Sequence, residues 1–195
     1  MFIPPMLPSE TVKPFDDNKF IFEPLIDGHR LQLSLEGGKV RLFTRYGNEV
    51  TRKYPELHTV PIRIPGDLVL DGEVACLSPI TGKPDFDLLQ QRFRMNHVPQ
   101  IRDAKKEMPV IYYPFDLLQW NGEDWRGRPL FERKEVLHSL LEDNYYFKKM
   151  GFVEREGIHL FHLAEQLGLK GIAGKRKTSR YREGRGDGWF KIEIQ

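Results

Sequence analysis

Two alternating runs flank a glycine pair, and this pattern constrains the fold more than any other in the chain. In residues 30–35, Leu31, Leu33 and Leu35 alternate with Arg30, Gln32 and Ser34; Gly37-Gly38 follows, and residues 40–45 form a second strand-like run. A period of two puts one set of side chains on each face of a strand, and Gly-Gly supplies the turn, so a β-hairpin is predicted. Further strands are predicted over 20–24, 68–77 (broken at Asp71-Gly72), 110–113 leading into 114–118, 170–176 and 189–194. Helices are fewer. Asp85 caps a segment to about Asn96, with Phe86, Leu89 and Phe93 on one side. Residues 129–141 carry Leu130, Val136, Leu137, Leu140 and Leu141, with an acid-base alternation that predicts an exposed opposite face. Residues 157–167 form a third apolar stripe, and Gly168 suits the position just after its end. Grouped strands with scattered helices predict an α+β fold built on antiparallel sheets.

A length of 195 residues fits one domain, and 39% hydrophobic with 30% charged residues is ordinary for a folded soluble protein. Cys76 is the only cysteine, so a disulfide scaffold is excluded, and a buried strand position is expected for it. No apolar run is long enough for a membrane helix, and the N-terminus lacks a signal-peptide pattern. A cytoplasmic monomer with no membrane partner is therefore expected. Pro4, Pro5, Pro8 and Pro14 predict that residues 1–17 form an extended arm laid over a domain spanning 1–195. His159 and His162 lack a third ligand and read as surface or core-edge residues. Trp120 and Trp125 flank a turn and read as packing under a loop.

The net charge of +2 argues against nucleic acid only if charge is evenly spread. It is not. Residues 175–191 are dense in Lys and Arg, with aromatics and glycines between them, a composition that can grip phosphates; a solvated basic loop is the plain alternative. The segment Glu23-Pro24-Leu25-Ile26-Asp27-Gly28-His29-Arg30 sets an acid, a turn and an arginine between strands. Leu70-Asp71-Gly72-Glu73 places two carboxylates at a strand break. Singly, each Asp-Gly reads as a turn.

In order, these segments resemble the nucleotidyltransferase (adenylation) domain of ATP-dependent DNA ligases, bacterial or phage type. The family's Lys-x-Asp-Gly-x-Arg corresponds to Leu25-Ile26-Asp27-Gly28-His29-Arg30. An Arg after the hairpin corresponds to Arg45, the Asp-Gly-Glu strand end to Asp71-Gly72-Glu73, and an aromatic before Asp to Phe115-Asp116. Pro129-Leu130-Phe131-Glu132-Arg133 follows as in bacterial ligases. Glu-Gly-Ile/Val-x-x-Lys is met in part by Lys170-Gly171-Ile172-Ala173-Gly174-Lys175, and Ser179-Arg180-Tyr181 and Trp189-Phe190-Lys191-Ile192 complete the series. The resemblance spans about Pro4 to Ile194. It implies two antiparallel sheets flanked by helices, an ATP-grasp-like ligase adenylation fold, with ATP, Mg2+ and nicked double-stranded DNA as ligands. It also implies a role in DNA replication and repair.

The resemblance implies that a lysine attacks the ATP α-phosphate to give lysyl-AMP, that AMP passes to a 5′-phosphate at a nick, and that the 3′-hydroxyl displaces it. Glu23 would recognise the adenine edge, Phe115 would stack on its face, and Glu73 would bind the ribose hydroxyls. Arg30 and Arg45 would hold sugar and phosphate, with Lys175 also in the nucleotide site, and Lys191 would neutralise the α-phosphate. Magnesium would sit on the phosphates with few protein ligands; no metal-binding residues are assigned.

The chain departs from the family at the chemistry itself. Position 25, that of the nucleophilic lysine, is Leu; position 170 is Lys where the family has Glu; position 193 is Glu where it usually has Lys. A hydrocarbon cannot form a P–N bond, so self-adenylation is expected to be lost or strongly reduced. A Lys170–Glu193 salt bridge is expected from the exchange. The chain reaches Gln195 where relatives continue into an OB-fold domain, so that domain is expected to be absent. A non-catalytic nucleotide- or DNA-binding module, or an RNA ligase or capping-type relative, are the alternatives.

Overall fold

The computed structural model describes residues 1–194. The strands are β1 (Met6–Thr11), β2 (Asp17–Pro24), β3 (His29–Glu36), β4 (Lys39–Thr44), β5 (Leu68–Cys76), β6 (Val110–Trp120), β7 (Glu123–Asp124), β8 (Val153–Arg155), β9 (Gly171–Arg176) and β10 (Gly184–Glu193). The α-helices are α1 (Phe86–Arg94), α2 (Val98–Glu107), α3 (Leu130–Leu140) and α4 (Gly157–Gln166). The strands form two five-stranded sheets, ordered β4-β3-β5-β6-β7 and β1-β10-β9-β2-β8.

The predicted hairpin is β3–β4, closing at Glu36↔Lys39 with Gly37 and Gly38 at φ 55° and 76°, the left-handed pair that a two-residue turn requires. Leu31, Leu33, Leu35 and Leu42 enter a core with Leu70, Val74, Cys76 and Leu137. The alternate residues reach the other sheet's first segment: Gln32 exchanges two 2.7 Å hydrogen bonds with the backbone of Ile3, and Arg30 donates to Met6 O at 3.0 Å. Ile21, Val69, Phe115, Leu118, Leu130 and Trp189 belong to the cluster joining the sheets. Each such side chain, fully buried, contributes about 1.5–3 kcal/mol. On β2 the same alternation sends Phe20 and Phe22 to a third cluster, with Ala164 of α4, Ile172 and Ile192.

Several expectations change. The arm contributes β1, and β1 pairs with β10 in parallel, so that sheet is mixed; nearly the whole chain separates the two strands, and no tight turn imposes antiparallel order. The predicted break at Asp71-Gly72 is only a register shift against β6 inside one continuous strand. A Cβ on Gly72 would lie 2.6 Å from Tyr113 O, so glycine serves close packing there instead of a turn. Helix α2 has no counterpart among the predicted elements. Asp85 does cap α1, accepting from Leu88 N at 3.0 Å. The charged face predicted for α3 is not wholly exposed: Arg133 and Lys134 are buried.

Candidate functional site

A cleft of about 860 Å³ is lined by Gly28, Arg30, Arg45, Glu73, Arg185 and Lys191, among others. Strands β3 and β5 bring Arg30 opposite Glu73 by register, and β10 adds Lys191 from the second sheet. Arg30 is fixed by Asp71, with Nε to Oδ1 at 2.7 Å and Nη2 to Oδ2 at 2.6 Å, a two-pronged geometry suited to Arg and carboxylate. The Tyr181 hydroxyl also donates to Asp71 Oδ2. Burial pushes the half-buried Glu73 carboxyl up to about 7, against the opposing pull of Arg30. Burial likewise lowers His29, whose Nε2 meets Gln90 Nε2 at 2.9 Å, so a neutral imidazole edges the cleft. Lys191 is paired with Glu193 two residues on.

Glu23, Phe115 and Lys175 do not line this cleft; Phe115 lies under the Arg30 guanidinium, and Glu23 and Lys175 belong to a buried ion cluster. Both Glu23 oxygens are taken: Lys134 Nζ donates to Oε1 and Lys175 Nζ to Oε2, the latter at 2.6 Å. Burial raises the Glu23 pKa, but the two ammonium groups outweigh it and hold the carboxylate below its usual range. Burial pushes the Lys175 ammonium down. Lys175 Nζ lies 3.9 Å from the Phe115 ring centre and the Arg30 guanidinium carbon 4.6 Å from it. Two cations, Lys175 and Arg30, therefore cover the Phe115 ring.

Leu25 stands at the end of β2, its N–H donating to Gly171 O at 3.0 Å. Gly171 has φ 146°, and a Cβ there would meet Ile192 O at 2.1 Å, so the Lys170-Gly171 step admits only glycine. The expected Lys170–Glu193 salt bridge does not form. Lys170 Nζ reaches across to Asp27 Oδ1 at 2.8 Å, while Glu193 takes the nearer Lys191 on its own strand. Arg45 remains exposed at the cleft mouth, over the Tyr46 ring. Among the described residues no group of three His, Cys, Asp or Glu side chains is disposed to hold a metal.

Lys134, Asp71 and Tyr181 organise the site; Asp71 and Tyr181 lie in motif segments that carry no assigned role for them, and Lys134 lies in none. Lys134 had a readable signal: it lies four residues after Leu130 and three before Leu137, on the apolar stripe of α3. A charge there must find a buried partner. Cys76 is buried as expected, and among the described residues no helix is long and apolar enough to cross a membrane.

Comparison with known proteins bears on the family and the fold. The profile described as "ATP dependent DNA ligase domain" matches residues 5–193. The SPbeta prophage-derived DNA ligase-like protein LigB of Bacillus subtilis (strain 168) is 36% identical over 193 residues, covering 98% of this chain and 67% of that protein. The multifunctional non-homologous end joining protein LigD of Pseudomonas aeruginosa is 34% identical over 180 residues, covering 91% of this chain but 20% of that protein. Among solved structures, mycobacterial DNA ligase D complexed with ATP and MES superposes with a TM-score of 0.77 at 26% identity, over 97% of this chain and 59% of that one. The ATP-dependent DNA ligase from bacteriophage T7 in complex with ATP shares the fold, with a TM-score of 0.57 at 16% identity, over 97% of this chain and 68% of that one. With its motifs in order, its two facing sheets and a matching profile along nearly all its length, this chain belongs to the ATP-dependent DNA ligase family and constitutes its adenylation domain.

Proposed function

We propose that this domain binds ATP and nicked DNA at the cleft between its sheets but does not form lysyl-AMP at position 25. One observation carries the reading: a leucine stands at position 25, where the family's chemistry needs an amine. The remaining lysines nearby are engaged elsewhere, Lys170 by Asp27, Lys175 by Glu23 and Lys191 by Glu193. Attack on a phosphate requires a neutral amine held at the reacting atom, and none of these three is held at position 25.

In this reading Arg30, Arg45 and Lys191 hold the sugar and phosphates, and Glu73 accepts from the ribose hydroxyls. A base stacking on Phe115 would displace the Lys175 or Arg30 contact, with Glu23 reading its edge through the lysine-bound carboxylate. Magnesium would arrive on the phosphates, as the family resemblance implies. Residues 1–195 act as one unit with 1–17 as its arm, a cytoplasmic monomer serving DNA repair or replication; the end-joining role named for the Pseudomonas aeruginosa relative supports repair.

The test is intact-mass measurement after incubation with ATP and magnesium. The natural sequence should stay unmodified, and Leu25→Lys should gain an AMP-sized adduct. An adduct on the natural chain, or none on a folded, ATP-binding Leu25→Lys variant, would sink the reading. Sealing of pre-adenylated nicks in DNA against RNA, which bypasses the missing lysine, tests the substrate.

A further inference from the structure

Behind the Glu23 cluster lies a second cleft, also of about 860 Å³, between α3 and the β2–β8 side of its sheet. None of the nucleotide-binding residues proposed above lines it. Two large aromatic side chains do, Phe131 and Phe152, 43% and 36% exposed. Exposed phenylalanines are unremarkable when scattered, but two in one concavity make a platform. Phe152 is braced edge-on by His138, ring centres 5.9 Å apart and planes at 81°, and Lys134 Nζ lies 5.1 Å from its centre. The His138 Nε2 is buried with no hydrogen-bond partner among the described residues. Burial first, then Lys134, lowers its pKa, so this wall carries a neutral ring with an unused polar atom.

The cleft is pinned by backbone hydrogen bonds. Phe131 N donates to Lys177 O at 3.0 Å and Lys177 N to Lys19 O at 2.8 Å, tying α3 to the ends of β9 and β2. Its charge is lopsided. Lys19 is exposed and pairs with no carboxylate among the described residues, Lys134 shares one carboxylate with Lys175, and Lys177 is matched by Glu154. Glu135 is the remaining acid on the rim, and Thr178 adds a hydroxyl.

We propose that this second cleft holds an unpaired nucleotide of a DNA strand, its base against Phe131 and Phe152 and its backbone phosphate at Lys19 and Thr178. Aromatic platforms beside cations are how single strands are held without reading their sequence, and the volume lies in the range of small-ligand sites. That DNA is the available strand rests on the ligase reading; the platform itself does not.

Fluorescence anisotropy with a labelled short oligothymidylate tests it, with ATP affinity measured separately by calorimetry. Phe152→Ala should weaken oligonucleotide binding about fivefold or more, and Lys19→Glu should weaken it and lower the salt dependence by about one ion. Both variants should melt like the natural chain and keep its ATP affinity. The proposal falls if the natural chain does not bind the oligonucleotide, if both variants bind it as tightly, or if saturating ATP displaces it, which would put the strand in the inter-sheet cleft. Loss of ATP binding in the natural chain would count against the ligase reading alone.

Discussion

Glu23→Ala should destabilise the domain far more than its size suggests. It removes the single carboxylate that Lys134 and Lys175 share, leaving two buried ammonium groups without counter-charge. Breaking a buried ion pair by deleting one partner costs about 3–5 kcal/mol. Both lysines retain partial compensation: Lys134 donates to Phe115 O at 3.0 Å, and Lys175 sits over the rings of Phe115 and Trp189 at 3.9 and 4.2 Å. A desolvated cation–π contact is worth about 2 kcal/mol, so the lower end, about 3 kcal/mol, is expected. For a domain of this length that corresponds to a fall in Tm of about 6–12 °C, read by calorimetric or circular-dichroism melts at neutral pH. Glu23→Ala combined with Lys175→Met should recover part of the loss, because it removes one of the stranded charges. The acid limb should change as well. Glu23 has its folded pKa below 4.5, so its stabilisation is full above about 4.5 and is lost as pH falls through the lower folded value; the variant should lose less on acidification. A Tm within about 2 °C of the natural chain, or a double variant that loses the sum of the single losses, would refute the shared-carboxylate account.

Glu73, raised to about 7, contributes stability that is complete below about pH 4.5 and lost as pH rises through 7; Glu73→Gln should flatten that slope in pH-dependent melts. Adenine-nucleotide affinity should rise from about pH 6 to about pH 8 as the carboxylate forms, and a pH-independent affinity would remove Glu73 from the site. Gly28→Ala sets a Cβ 2.3 Å from Val74 O and should cost about 1–3 kcal/mol; an unchanged urea midpoint would show that the Asp27-Gly28 loop yields freely. In the Leu25→Lys background, Lys170→Glu with Glu193→Lys should alter stability by less than about 1 kcal/mol, since Lys170 and Glu193 are solvent-exposed. It should also raise the yield of AMP adduct, and an equal yield would mean that both exchanges are indifferent to the chemistry.

What could be read from the residues followed local periodicity. The β3–β4 hairpin, the Asp85 cap and the α4 stripe ending before Gly168 are set by contacts within a few residues, and they stand where predicted. Helix α2 buries only Ile101 and Ala104, too few apolar positions to show a period. Strand β1 is hidden by Pro8 and the prolines that flank it, and it is held by β10, distant in sequence. At the site, Arg30, Arg45, Glu73 and Lys191 share a cleft, whereas the pairing of Lys170 with Asp27 depends on a strand-to-loop distance that motif order does not contain. The buried lysine of α3 is legible in principle, because its helical position lies between Leu130 and Leu137 on the apolar stripe; the acid-base alternation of the same segment masks it.

The parallel β1–β10 pair has a consequence for the order in which the molecule assembles. Strands β3 to β7 are contiguous in the chain, so their sheet can close from nearby contacts, while the other sheet must join residues near opposite ends. Non-local pairing is slow because loop-closure entropy is lost before contacts reward it. Arg30 and Glu73 are therefore expected to be in position well before β10 delivers Lys191 opposite Thr11. Pulse-labelled hydrogen exchange during refolding should show β3–β6 amides protected before those of β10, and simultaneous protection would contradict this order. For a chain emerging from the ribosome, the Lys191 side of the cleft is built later than the side that carries Arg30 and Arg45.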